Sequence, residues 1–230
     1  MCGRFTRYYT WEQIWRMYNL IPAGSIPNLR PRYNCCPTDP AGVILQAEGG
    51  RQYEEMRWGL VPNWWSKPLK ELRLATFNAR VETVENKPFF REAFRKRRCL
   101  MPVSGYYEWQ DTPDGKQPHY FTAKDGSPAL TMAALWDEWK DRANPDQPIR
   151  SCTMIITTPN EFVAEVHDRM PAILRPDQYD DWLSGAMGAK DLRPVDDDYL
   201  QRWPVSKRVN SSKADENDKT LIDRSDLALQ

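Results

Sequence analysis

The sequence predicts an α+β fold in which mainly antiparallel strands form a curved or barrel-like sheet core flanked by short helices. Two observations predict it. Short runs of aliphatic, β-branched and aromatic residues bounded by Gly, Pro, Asn and Asp outnumber the stretches of helical periodicity. Nor do those runs alternate with helices in the regular βαβ manner of a parallel sheet. With 230 residues, 40% of them hydrophobic, the chain can bury a sizeable core. No internal repeat or linker divides it, so one domain over residues 1–210 is expected, followed by a polar, flexible tail over 211–230.

Taken in order, Thr10-Trp11-Glu12-Gln13 has the form of a capping box, and Trp11, Ile14, Trp15 and Tyr18 recur at helical spacing. Residues 11–19 therefore read as an amphipathic helix with its aromatics inward. Pro22 to Pro40 reads as loop. Val43–Gln46 and Gln52–Trp58 read as strands around a Gly49-Gly50 turn. Pro62 to Pro68 is a loop carrying Asn63-Trp64-Trp65. Pro88 suits the first turn of a second helix with Phe89, Phe90, Ala93 and Phe94 inward. Cys99–Val103, His119–Ala123, Ala129–Trp136 and Ser151–Thr157 read as strands, with turn signals at Pro113-Asp114-Gly115 and Asp125-Gly126. Pro159 opens a short helix leading to Val166-His167, and Asp177–Leu183 is another.

Basic and acidic side chains balance at 32 each, which argues against a polycation, although charge is segregated along the chain. The first 32 residues carry Arg4, Arg7, Arg16, Arg30 and Arg32 against Glu12 alone. The cysteines, Cys2, Cys35, Cys36, Cys99 and Cys152, are odd in number and spaced for neither a disulfide framework nor a zinc site. A reducing cytoplasm fits them best, and no metal or cofactor is expected. No run approaches the about 20 apolar residues of a membrane span, and no secretory leader pattern opens the chain. Cys35-Cys36 reads as a pair of small buried side chains; were Cys36 to lie beside Cys2, oxidation of the pair would block it.

Cys2 is the most informative position. Its small side chain favours removal of Met1, which would leave an α-amine and a thiol on adjacent carbons. Such a 1,2-aminothiol condenses with an aldehyde to an imine and then closes a thiazolidine ring. Both groups titrate near neutrality, at roughly 8 for the amine and about 8.5 for the thiol. Beside it stand three further segments that join a reactive side chain to turn residues or aromatics: Phe77-Asn78-Ala79-Arg80, Gly105-Tyr106-Tyr107-Glu108-Trp109 and His167-Asp168-Arg169-Met170-Pro171. Singly, each reads as an ordinary turn, strand residue or structural histidine.

Together these segments resemble the SOS-response-associated peptidase (SRAP) family, which includes bacterial members and a eukaryotic sensor of abasic sites in single-stranded DNA. The resemblance spans the chain up to Asn210 and includes Arg32-Tyr33-Asn34, Trp58-Gly59-Leu60-Val61-Pro62 and Pro204-Val205-Ser206. It implies that Cys2, freed of Met1, links covalently to the ring-opened aldehyde of an abasic deoxyribose. It implies that Asn78 positions the sugar and the N-terminus, that Glu108 is the acid/base, and that His167 assists proton transfer and reversal. Arg4, Arg80 and Arg169 would hold phosphates, Trp64 and Trp65 would line the DNA path, and Asn34 and Trp109 complete the implied DNA-binding set. The residue types suit the chemistry. A carboxyl desolvated among Tyr106, Tyr107 and Trp109 would have a raised pKa. Imidazole titrates near neutrality, and arginine forks with aromatic faces make a sequence-tolerant single-strand site.

Three functions follow for comparison: a sensor that crosslinks to abasic single-stranded DNA, a cysteine peptidase or autopeptidase using Cys2, and a non-catalytic single-strand binding module. The first accounts for most residues, since simple binding requires no acid/base pair. The expected protein is a cytoplasmic monomer, nucleoid-associated when on DNA.

Overall fold

A computed structural model describes residues 2–21, 27–141 and 144–225. Met1, residues 22–26 of the expected loop and residues 226–230 of the expected tail lie outside them. Strands numbered in chain order build two sheets. The first joins β1 (Arg4–Arg7), β2 (Arg32–Cys35), β7 (Gly105–Thr112), β8 (Gly115–Ala123) and β12 (Leu200–Pro204) in the order β12-β8-β7-β1-β2, every pair antiparallel. The second contains β3 (Pro40–Ala47), β4 (Gly50–Trp58), β6 (Arg98–Val103), β9 (Leu130–Asp141) and β10 (Asn144–Thr157). These run β10-β4-β3-β6-β9 and close through a β9–β10 pairing, so the ring has no free edge. Two short strands flank β10: β5 (Asn78–Arg80) in parallel and β11 (Met170–Pro171) antiparallel. The α+β class with a barrel-like, mainly antiparallel core is thus as the sequence predicts, β4–β10 and β5–β10 being the parallel pairings.

The helices are short: α1 (Trp11–Tyr18), α2 (Arg91–Lys96), α3 (Glu161–Ala164) and α4 (Tyr179–Ser184). At the start of α1 the Thr10 hydroxyl accepts from the Gln13 amide at 3.2 Å while the Gln13 side chain accepts from the Thr10 amide at 2.8 Å. This is the capping box read from the sequence, and Asn19 in the left-handed region (φ 50°) ends the helix. Ile14 and Tyr18 are buried as expected, but Trp15 is exposed. Helix α2 begins three residues after Pro88, because the Phe90 and Arg91 amides first close turns onto the Lys87 carbonyl.

The site is positioned by β1. It lies between β7 and β2, with Arg4 opposite Tyr107, Phe5 opposite Tyr106 and Thr6 opposite Gly105. The start of the chain is therefore threaded into the interior of a sheet. Strand alternation sends Tyr106 and Glu108 to one face of β7 and Tyr107 and Trp109 to the other. Tyr106 packs in the core cluster that holds Cys2, Phe5 and Phe121. Tyr107 packs with Tyr120, Val205, Val209 and Leu221.

That second face is covered by residues after Ser211, read from the sequence as a flexible polar tail. The described part is docked instead. The Tyr33 amide donates to the Glu216 carbonyl at 2.6 Å, Asn34 Nδ2 to the Ser211 carbonyl at 3.2 Å, and Trp203 Nε1 to the Ile222 carbonyl at 2.7 Å. Asp215 and Asp218 accept nearby backbone amides in local turns, so a polar segment satisfies its own backbone while Leu221 anchors it in the core.

Gly105 marks a close approach between strands. A Cβ there would lie 2.5 Å from the Phe121 carbonyl oxygen and 2.2 Å from the Tyr120 hydroxyl. Gly105→Ala is expected to cost about 1–3 kcal/mol as an overpacking change, measured by urea unfolding. A stability equal to wild type would show that β7 and β8 separate without cost.

Candidate active site

Four side chains from distant parts of the chain meet at the end of β7. Cys2 precedes β1 and is buried, at 1% exposure. Asn78 opens β5, held by its parallel pairing to Met154 of β10. Its Nδ2 donates to the Cys2 carbonyl at 2.9 Å, and its buried Oδ1 has no partner. Glu108 projects from β7 at 1% exposure, close enough to the Cys2 thiol for each to shift the other's titration. His167 follows α3 and sets Nε2 3.7 Å from Glu108 Oε2. Its Nδ1 accepts the Arg169 amide at 3.0 Å, so the neutral ring carries its proton on Nε2, facing the carboxylate.

Electrostatics follow from burial. Desolvation pushes the Cys2 thiol well above its ordinary range, and the charge and hydrogen bond of Glu108 add to this, against the pull of the chain's terminal ammonium. Burial likewise raises Glu108 to about 7, while the terminal ammonium, the Cys2 thiol and Lys116 pull downward. Desolvation lowers His167, and the terminal ammonium adds to this, against Asp168. Burial also drives His119, opposite Glu108 on β8, down to about 4, so that ring is neutral. The outcome is a carboxyl able to give or take a proton near neutral pH, beside a thiol that stays protonated.

The remaining expected residues are distributed around this core. Arg80, two residues beyond Asn78, is exposed. Arg169 is ion-paired with Glu82, whose carboxyl is pushed up by burial but held below its usual range overall by Arg169 and Arg80. Trp109 lines an open pocket of about 360 Å³ with Glu108, Lys116, His167 and Asn210. Arg4 lies on the opposite face of the sheet from Glu108. It donates to Asn34 Oδ1 at 2.9 Å and to the carbonyls of Val209, Asn210 and Ser211, and its guanidinium sits 5.9 Å from the Trp109 ring centroid. Asn34 is buried there and binds the Ser211 and Ala214 carbonyls. Trp64 and Trp65 cluster with Phe89, Trp64 being 47% exposed, and the Trp65 carbonyl accepts from Trp139 Nε1 at 2.6 Å. Cys36 is beside Asn34, its Sγ 3.5 Å from the Asn34 carbonyl, and all five cysteines are free thiols.

Sequence reasoning passed over Lys116 and gave Tyr106 only a part in desolvating Glu108. Lys116 reaches the pocket because the β7–β8 hairpin sets it opposite Asp111, with Nζ 3.3 Å from Asp111 Oδ1. Tyr106 shares a face with Glu108 through the two-residue strand period. That spacing was the available signal for Tyr106, whereas Lys116 needed the hairpin register.

A family model described as SOS response associated peptidase (SRAP) matches residues 1–212. The abasic site processing protein YoaM of Bacillus subtilis is 33% identical over 97% of this chain and 98% of its own. The abasic site processing protein HMCES of Xenopus tropicalis is 30% identical over 83% of this chain and 65% of its own length. A crystal structure of a Bacteroides thetaiotaomicron protein, 24% identical, superposes with a TM-score of 0.86 over 97% of this chain and 100% of that one, and shows the same fold.

Burial of Glu108 makes stability depend on pH. A carboxyl at about 7 when folded and 4.5 as its ordinary value binds its proton more tightly in the folded state. That contribution is complete below about 4.5 and is lost as pH rises through 7. Glu108→Gln should therefore gain stability over wild type between those values, by up to about 3 kcal/mol above the upper one. Urea unfolding at several pH values checks this; a difference that does not vary with pH would place the proton elsewhere.

Proposed function

The chain belongs to the SOS response associated peptidase family, and we propose from that premise that it senses abasic sites in single-stranded DNA by crosslinking to them through Cys2. The observation that carries this reading is the burial of Cys2 and Glu108 beside one another, with Asn78 gripping the Cys2 carbonyl at 2.9 Å. Removal of Met1 would put a free amine on the same residue, so amine, thiol and acid/base share one small space.

The steps balance around Glu108. An abasic sugar is mostly a closed hemiacetal, and opening it needs a proton moved from the C1′ hydroxyl and one delivered to the ring oxygen. The Cys2 amine then adds to the C1′ aldehyde to give a carbinolamine. Protonated Glu108 donates to its hydroxyl, water leaves, and an iminium remains. The resulting carboxylate takes the thiol proton, sulfur bonds to the iminium carbon, and the nitrogen keeps its hydrogen in a neutral thiazolidine. Glu108 ends as it began. His167, facing Glu108, exchanges that proton with solvent and serves the reverse reaction.

Arg80, Arg169 and Trp64 supply the cations and aromatic face that a sequence-tolerant strand site needs. The peptidase reading is less well supported. A Cys-His-Asn site needs a thiol paired with an imidazole, whereas this imidazole faces Glu108 and Asn78 bonds to a backbone carbonyl.

Mature protein mixed with an abasic oligonucleotide should give a denaturation-resistant adduct on intact-mass analysis. Cys2→Ser keeps the amine, so it should lose that adduct and retain only a species trapped by borohydride. A wild-type protein with a verified free Cys2 amine that forms no adduct would sink the reading. Separately, Arg80→Ala should weaken single-strand binding for every sequence alike and reduce the salt slope by about 1. An unchanged slope would remove Arg80 from the strand path.

A further inference from the structure

We propose that the Tyr106 hydroxyl is a positioning group for the Cys2 sulfur, donating a hydrogen bond to it once the thiol proton has passed to Glu108. This deepens the reading above and rests on Cys2 being the nucleophile.

The starting observation is an orphan. The buried tyrosines of the described residues are Tyr9, Tyr18, Tyr106, Tyr107, Tyr120 and Tyr179. The hydroxyl of Tyr9 reaches the Pro102 carbonyl at 3.3 Å, that of Tyr107 the Tyr33 carbonyl at 2.8 Å, and that of Tyr120 Thr6 at 2.8 Å. Tyr18 and Tyr179 both meet Thr131 at 2.6 Å. Tyr106 alone in this set has a hydroxyl with no partner, although the residue is 0% exposed. A buried hydroxyl without a partner forfeits the hydrogen bonds it made to water. Phenylalanine would give the same ring stack without that cost.

The orphan lies in the same buried cluster as the Cys2 side chain. The Tyr106 ring stacks on Phe121 at 5.0 Å between centroids and 10° between planes, which holds the ring in place. Tyr106 and Glu108 occupy the same face of β7, Phe5 lies opposite Tyr106, and Cys2 belongs to the same buried cluster. Beyond burial, the groups that most affect the phenol are Cys2 and then Glu108. Burial keeps the phenol protonated well above neutral pH, so it remains a donor throughout.

The resting thiol keeps its proton beside Glu108, and its sulfur is a weak acceptor. As a thiolate the sulfur becomes a strong one, and the hydrogen bond is charge-assisted. The hydroxyl is thus without a partner in the resting state and acquires one as sulfur develops charge.

The test is the pH dependence of Cys2 alkylation by iodoacetamide in protein freed of Met1, followed by mass analysis of the N-terminal peptide. Tyr106→Phe should raise the midpoint by roughly one pH unit, a tenfold loss of thiolate at fixed pH, with melting temperature unchanged or higher. An unmoved midpoint overturns the proposal, as does a lowered melting temperature without a shift, which is what a purely structural hydroxyl gives. If Tyr106→Phe does not fold, 3-fluorotyrosine at position 106 supplies a stronger donor and should lower the midpoint; no shift there is equally fatal. The two readings fail separately. A missing DNA adduct with a Tyr106-dependent midpoint rejects crosslinking only, and an adduct with a Tyr106-independent midpoint rejects this role only.

Discussion

Everything distinctive about this molecule depends on the insertion of β1 between β7 and β2. An N-terminal strand is commonly an edge or a frayed end, yet here Phe5 is paired on both sides, with Tyr106 of β7 and Cys35 of β2, inside a five-stranded sheet. The register leaves Cys2 just past the last paired residue, against Glu108 and under the hold of Asn78. A one-residue slip would turn every β1 side chain to the opposite face. Phe5 would leave the core that holds Trp58, and Arg4 would lose the carbonyls of the C-terminal segment.

The two faces of β7 divide the labour. On one side Tyr106 and Glu108 lie with Cys2. On the other, Tyr107 and Trp109 meet Arg4, Asn34 and the segment beyond Val209. Arg4 therefore locks the register from behind by gathering backbone carbonyls. Glu216 has a similar role on the neighbouring strand, where it pairs with Arg32 at 2.6 Å. The last residues of the described chain thus help to hold its first strand in place.

How much of this was legible in the sequence varies with the cause. Helix α1, the β3–β4 hairpin and the strands of the closed ring carry local signals, namely a capping box, a Gly-Gly turn and apolar runs, and these survive into the structure. Strands β1 and β2 do not. Arg-Phe-Thr-Arg and Arg-Tyr-Asn-Cys show no apolar alternation, because both faces are covered, Arg7 and Arg32 are paired with Glu55, Asp39 and Glu216, and Arg4 binds backbone carbonyls. Tyr107 and Glu108 hide β7 for the same reason. The polar residues after Ser211 looked unfolded by composition, but composition does not register turns that satisfy themselves. Cys2, Asn78, Glu108 and His167 were recognisable as a set through the family pattern alone, since no local rule links residues so far apart.

A buried thiol held above its ordinary range is an unpromising nucleophile if it must act first. A peptidase would need it ionised before substrate arrives, and this site offers the sulfur a carboxylate, which opposes ionisation, and a neutral imidazole directed at that carboxylate. The same features cease to be handicaps if the amine acts first. An iminium places a positive charge one bond from the cysteine Cα and converts Glu108 from acid to base in the same event. Both changes lower the cost of taking the thiol proton, and they arise only after an aldehyde has been captured. On that reading desolvation would work as a filter, keeping sulfur inert toward adventitious electrophiles and oxidation until the amine has bound the carbon that sulfur is to attack.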